Sequence, residues 1–365
     1  MQNEPAMKRE GVTRRAFLGR AGMLATGAVA AAASPALLTS CSSSSKSKNE
    51  VVYAGFGGAY QQQITKAVLK PFQDATGIKV TITTGAENIA SLKANVKANK
   101  VQWDVMDTNI ALLAQAIAAD VLQKIDYSGV KSISDLNNKS LAGPYGLGYY
   151  NFSDNIWWNP RAVKGQIRTW ADVWNTSAFP GKRGFGNTVN GLLEGALMAS
   201  GTPTDKIYPI DVDKAFAWMD KIRSSSTFLD STADQNAMAQ QDSVIGFQTL
   251  SRIKAVTQAG TKLDYSWDQV LIDTNSFAIP KQAPHVDNAV KLMEFALQPE
   301  QQLAIMRILG YSPATKTAIA KLTPTQLKNI PTSPQNSRNA VYYDSAWYAK
   351  HGADATQRFQ KWLIS

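Results

Sequence analysis

The sequence predicts an α/β protein of two lobes, with mixed, mostly parallel sheets. Three observations carry that expectation. The chain has 365 residues, more than one core comfortably holds, since single cores rarely grow past roughly 250–300 residues. Strand-like and helix-like periodicities alternate along it. Hydrophobic residues make up 44% and charged residues 18%, the balance of a packed globular chain.

The alternation begins just past residue 50. Val51–Ala54 is a short apolar run. Tyr60–Thr76 carries Ile64, Ala67, Val68 and Phe72 near helical spacing and is stopped by Gly77. Ile78–Thr83 alternates apolar and polar residues as a strand does, and Ile89, Leu92 and Val96 mark a second helix. Trp103–Asp107 reads as a strand and Ile110–Ala119 as a helix. From Gly143 to Pro160, GPYGLGYYNFSDNIWWNP is dense in glycine and aromatics and predicts extended segments and turns. A second alternation follows. It has strands at Gly184–Asn187, Ser243–Thr249 and Leu271–Pro280. Its helices fall at Leu192–Ser200, Val212–Ser224, Leu250–Ala259, and Val286–Leu309 with a break at Pro299. There is no internal repeat.

Charge and cysteine usage exclude several classes. The formal net charge is +10, of which residues 1–40 supply +3, so the remainder carries +7. The basic residues are scattered, with no run of five or six, so no nucleic-acid partner is expected. One cysteine, Cys41, and two histidines, His285 and His351, leave no disulfide and no zinc or iron–sulfur spacing. No metal and no cofactor are expected.

The N-terminus reads as an address. TRRAFLG places Arg14 and Arg15 before a stretch rich in Ala and Gly that runs to Leu38, the layout of a twin-arginine export signal. LTSC then resembles a lipobox, which makes Cys41 the expected lipidated residue. Ser42–Asn49 is polar and low in complexity, a flexible tether. The expected location is the periplasm or the outer face of the cytoplasmic membrane, lipid-anchored.

AGFGGAYQQQ, Ala54–Gln63, invites a dinucleotide reading. Gly55 and Gly57 fit the first two glycines of G-x-G-x-x-G, but Tyr60 takes the third place. The next strand ends at Thr84–Gly85, with no carboxylate for a ribose. Gly57 and Gly58 still allow a tight turn. The stretch therefore predicts one wall of a cleft and capture instead of chemistry.

PFQDATGIKV, WDVMDTN, TWADVW, FAIPKQA, AVKLMEFALQPEQQ and GYSPATKTA occur in that order across nearly all of the mature chain. Together they resemble the ABC-importer substrate-binding proteins of the spermidine/putrescine-binding family. The resemblance implies a type II periplasmic-binding-protein fold with a hinge. One lobe would combine 50–147 with 278–322, the other would span 148–277, and a helical tail, 323–365, would pack across both. It also implies a monomer that closes on a solute and docks on an ABC permease with its ATPase, and that is not an enzyme.

The same resemblance places the site. The turn after the first strand offers Phe56, Gly58 and Tyr60, and the turn after the third offers Asn109. The family's ligand-pairing acids fall here at Thr188, Gly191 and Asn275, a tryptophan falls at Thr249, and a cleft tyrosine is Tyr311. Three acids are thus lost. Asp107 and Asp273 lie beside the right turns to serve an amine, and Arg252 opens the helix after Thr249, where its fork suits a carboxylate. The expected solute is polyamine-like or an amine/carboxylate compound. Three other readings stand beside it: a ferric-ion binder, a sensing receptor component, and an exported enzyme. The ferric binder would use Tyr149–Tyr150 or Tyr342–Tyr343, although adjacent strand residues face opposite ways. The enzyme would lack cofactor ligands and any GxSxG motif. Of Trp157, Trp158, Trp170 and Trp174, at most one of the first pair is expected at the ligand, because large aromatics fill cores.

Overall fold

The computed structural model describes residues 49–365. The expected export signal with Arg14 and Arg15, the expected lipidated Cys41, and the tether up to residue 48 lie outside the described residues.

Among the described residues one continuous sheet of eleven strands organises the fold. In chain order the strands are β1 Glu50–Gly55, β2 Lys79–Thr84, β3 Val105–Thr108, β4 Leu147–Trp158, β5 Arg183–Gly186 and β6 Ser226–Leu229. They continue with β7 Ile245–Thr249, β8 Asp264–Tyr265, β9 Leu271–Ala278, β10 Ser312–Pro313 and β11 Val341–Tyr342. The order along the main path is β2-β1-β3-β9-β4-β7-β5-β6. Both ends are parallel, as their strand–helix alternation requires. The centre is antiparallel, because β9 and β4 run against each other and against the flanking strands β3 and β7.

The helices follow local signals. The segment after β1 is continuous: α1 Gly58–Ile64, a π-helical turn Thr65–Leu69, and α2 Lys70–Thr76, closed by Gly77 at φ 69°. Then come α3 Ile89–Lys97, α4 Ile110–Ala118, α5 Trp170–Trp174, α6 Leu192–Ala199, α7 Val212–Asp220, α8 Ser231–Gln240 and α9 Leu250–Gln258. Asn109 caps α4 by accepting from the Leu112 N–H. α10 Val286–Ala296 buries Ala289, Leu292, Met293 and Ala296, a single stripe at i, i+3, i+4 and i+7. Pro299 opens α11 Pro299–Leu309, and Gly310 ends it. α12 Lys316–Ala320, α13 Pro324–Leu327 and the long α14 Ser345–Ile364 complete the chain.

Packing separates the interior into distinct cores. One joins Tyr53, Phe72 and Tyr149 to Phe277, Leu292 and Ile305, drawing on both ends of the chain's first half and on 277–314. Another, on the far side of β1 and β3, holds Ala54, Leu92, Met106 and Leu112. The largest gathers Trp170, Phe185, Leu193, Phe216 and Phe247 with Phe359 and Trp362 of α14. Trp157, Trp158, Trp170 and Trp174 are all buried in such packing.

Candidate binding cleft

The glycine turn sets the first wall. Gly57 and Gly58 have φ of +74° and +62°, conformations side chains rarely adopt. They swing the chain from β1 into α1, leaving Phe56 exposed at a rim while Tyr60 turns inward. The two rings stay in contact, centroids 5.8 Å apart.

The floor comes from β4 and β9. Their register sets Phe152 opposite Asp273 and Tyr150 opposite Asn275, and β4 pairs with β7 so that Asp154 meets Thr249. Residues two apart on a strand share a face, so Tyr150, Phe152 and Asp154 form a row. The Thr249 hydroxyl donates to Asp154 at 2.8 Å and the Tyr343 hydroxyl at 3.0 Å. Burial pushes the Asp154 carboxyl above its usual range, against those two hydrogen bonds and the Arg252 charge. Asp273 accepts from the Ile110 N–H at 3.2 Å and its own neighbour Thr274 N–H at 2.7 Å. Burial takes it up to about 7.

A cavity of about 480 Å³ opens above this floor. Phe56, Asn109, Thr188 and Thr249, four of the residues expected from sequence, line it together. Asp154, Asp273, Phe152, Gln248 and Tyr343 line it as well. Arg252 sits beside it on the first turn of α9, half-buried, donating to Gln235 at 3.2 Å. Its charge favours the ionised forms of Asp154 and Asp234. Tyr311 stacks on Tyr150 with centroids 4.8 Å apart, and its hydroxyl lies 2.9 Å from that of Ser251.

Tyr60, Asp107 and Asn275 meet in a hub outside the cavity lining. Asp107 is fully buried. It accepts from Tyr53 and Tyr60 at 2.5 Å each, from Asn275 at 2.6 Å and from Tyr149 at 3.2 Å. Both oxygens thus hold two donors, the full capacity of a carboxylate. Burial nevertheless takes Asp107 up to about 7. The expectation that adjacent tyrosines face opposite ways fails at this point. A bulge between Gly148 and Tyr150 breaks the alternation, and Tyr149 and Tyr150 both bring their hydroxyls to Tyr60, at 3.2 and 2.7 Å.

Sequence reading passed over Asp154. Its signal is the period-two pair Phe152 and Asp154 within NFSDN, hidden because that stretch reads as extended segments broken by turns and not as one twelve-residue strand. Thr188, Gly191 and Asn275 carry no carboxylate, whereas Asp154 and Asp273 bring carboxylates to this cleft from the crossing strands β4 and β9.

Comparison with known proteins places the chain. Residues 67–332 match the family of bacterial extracellular solute-binding proteins. The gamma-aminobutyric acid-binding protein of Pseudomonas aeruginosa is 28% identical over 313 residues, 84% of this chain and 89% of that protein. The spermidine/putrescine-binding periplasmic protein of Escherichia coli K12 is 24% identical over 303 residues, 80% and 84% of the two chains. The structure of the PBP AgtB of A. tumefaciens R10, in complex with agropinic acid, superposes with a TM-score of 0.78 at 30% identity, covering 87% of this chain and 99% of that one. This chain belongs to the bacterial extracellular solute-binding proteins, which carry a small solute to an ABC importer.

Proposed function

We propose that the cleft captures a small organic compound bearing both an ammonium and a carboxylate group. One observation carries the reading: of the three carboxylates that line the cavity, Asp154 and Asp273 lie on its floor, while the Arg252 guanidinium stands beside it. A desolvated ammonium requires an anionic partner, and a guanidinium fork matches a carboxylate. A polyamine would bring further positive charge toward Arg252 and is disfavoured. Phe56 and Phe152 supply apolar faces for the ligand's carbon chain. Asn109, Thr188 and Thr249 add polar contacts, and Gly58 keeps the first wall thin. Tyr60, Asp107, Asn275 and Tyr311 act from the floor as support. The name of one relative agrees with this class, the gamma-aminobutyric acid-binding protein.

The separate cores support lobes of 50–147 with 278–322 and of 148–277, bridged by the 323–365 tail, that close about β4 and β9. In this reading the protein is exported, held at the membrane through Cys41, monomeric, and binds its solute without transforming it. Titration calorimetry with amino acids, amino-acid derivatives and polyamines tests the proposal. An amine carboxylate should bind, and Arg252→Ala should weaken it roughly 10- to 150-fold, the worth of a charge-assisted hydrogen bond. Tight putrescine binding that survives Arg252→Ala would sink it.

A further inference from the structure

The two strands that floor the cleft carry a second cavity on their reverse face. Side chains alternate across a strand, so Asn151 of β4 and Thr274 and Ser276 of β9 point away from the row of Phe152, Asp154 and Asp273. A cavity of about 890 Å³ lies on that side, lined by these three residues, by α4, by the 137–146 segment and by the start of α14. That volume falls in the range of small-molecule pockets, roughly 300–1,000 Å³. Its chemistry differs from that of the solute cleft. No acidic, basic or histidine side chain lines it among the described residues, whereas Glu87, Asp154 and Asp273 line the cleft. Ile110, Leu113 and Ile117 of α4, with Leu141 and Ile319, supply apolar wall. A charged guest would lose its water there and gain no partner.

Two polar groups stand open on the strands beneath it. Asn151 is 6% exposed and Ser276 is 5% exposed. The Asn151 Oδ1 accepts from the Thr274 hydroxyl at 2.7 Å. Its Nδ2 and the Ser276 Oγ have no hydrogen-bond partner among the described residues. Neither atom is sealed inside the protein, so both open on the cavity their residues line. Buried side-chain polar groups are nearly always paired. An amide nitrogen donates and does not accept, so the partner that Asn151 lacks is an acceptor.

We propose that this reverse-face cavity binds an uncharged small molecule with an apolar body and an acceptor oxygen, a ketone, amide or ether, which takes hydrogen bonds from the Asn151 Nδ2 and the Ser276 hydroxyl. The apolar body covers the α4 side of the cavity. The charged groups of the solute cleft play no part, so this site stands or falls apart from the amine-carboxylate reading.

Equilibrium dialysis of the purified protein tests it, with 2-acetylnaphthalene and 4-phenyl-2-butanone as neutral probes and 2-naphthoate and 2-naphthylmethylammonium as charged counterparts. At least one ketone should bind, at least about tenfold more tightly than either ion. Ser276→Ala takes no hydrogen bond from the protein's own side chains and should weaken the ketone roughly 2- to 12-fold, the worth of one hydrogen bond. Ala349 is exposed on α14 and lines the same cavity. Ala349→Trp fills space there without disturbing a core and should weaken the ketone at least about tenfold. Ketones that do not bind, ions that bind as well as ketones, or ketone binding untouched by both substitutions would overturn the proposal.

Discussion

Replacing Asp154 by Asn isolates the charge on the cleft floor. The substitution keeps the shape of the side chain. Asn can still accept from the Thr249 hydroxyl, 2.8 Å away, and its amide can donate to the Tyr343 oxygen, which lies 3.0 Å from the carboxylate now. The fold therefore loses little. Burial already disfavours the charge at this position, so the unliganded variant should melt at or slightly above the wild-type temperature near pH 8. Binding should suffer. A hydrogen bond to a charged group is worth roughly 1.5–3 kcal/mol, which is a roughly 10- to 150-fold rise in Kd. The assay is calorimetry with the best-binding amino acid, repeated with its deaminated analogue. The carboxylate-only analogue should bind wild type and Asp154→Asn within about threefold of each other, because it never meets the lost charge. If the amino acid binds the variant as tightly as the wild type, or if both ligands lose affinity equally, Asp154 is not the ammonium's partner.

Three further outcomes follow from the same structure. Ammonium binding needs Asp273 ionised, and burial holds it at about 7, so Kd should rise by about tenfold per pH unit below 7 in calorimetry between pH 8 and 5.5. Without ligand the sign reverses. A carboxyl whose folded pKa is raised stabilises the fold below its unfolded value and loses that contribution as pH rises through the folded one. Stability should thus increase by about 1.4 kcal/mol from pH 8 to 6 through this group, and Asp273→Asn should lower the slope in urea titrations by that share, leaving the share of Asp107, also held at about 7. Gly246→Ala would push a Cβ to 2.2 Å from the Gly184 carbonyl oxygen and 3.0 Å from Trp157; the midpoint of urea unfolding should fall by the equivalent of about 2–3 kcal/mol. Tyr60→Phe removes the hydroxyl that serves Asp107, Tyr150 and Asn275, takes one hydrogen bond from each of these buried groups, and should cost about 1–3 kcal/mol in the same measurement.

Periodic stretches were legible from sequence, and positions set by distant partners were not. The pattern of Ile89, Leu92 and Val96 and the break at Pro299 yield helices close to where the structure has them. β6 and α8 carry no comparable signal. STFL is short and half-buried throughout, and STADQNAMAQ is polar with no continuous apolar stripe, so Asp230 capping the helix is its best local mark. β4 reads as extended segments broken by turns because glycine and aromatics dominate it, yet partners on both sides hold it as one continuous strand. In the site, turns that follow strands were found because the local sequence announces them: Phe56, Asn109, Thr188 and Thr249 share the cavity. Asp154 and the convergence of Tyr149 and Tyr150 depend on register and a bulge, properties of strand pairing that no single segment encodes.

The strand order also imposes a schedule. β3 pairs with β1 on one side and with β9 on the other. β9 begins at Leu271, while β3 ends at Thr108. Roughly 160 residues must be made in between, which at about 5–20 residues per second leaves that strand edge uncovered for roughly 8 to 30 s during synthesis. An open edge is a template for pairing with other chains. The newly made N-terminal half accordingly carries this open edge, and the arrival of β9 is the event that covers it.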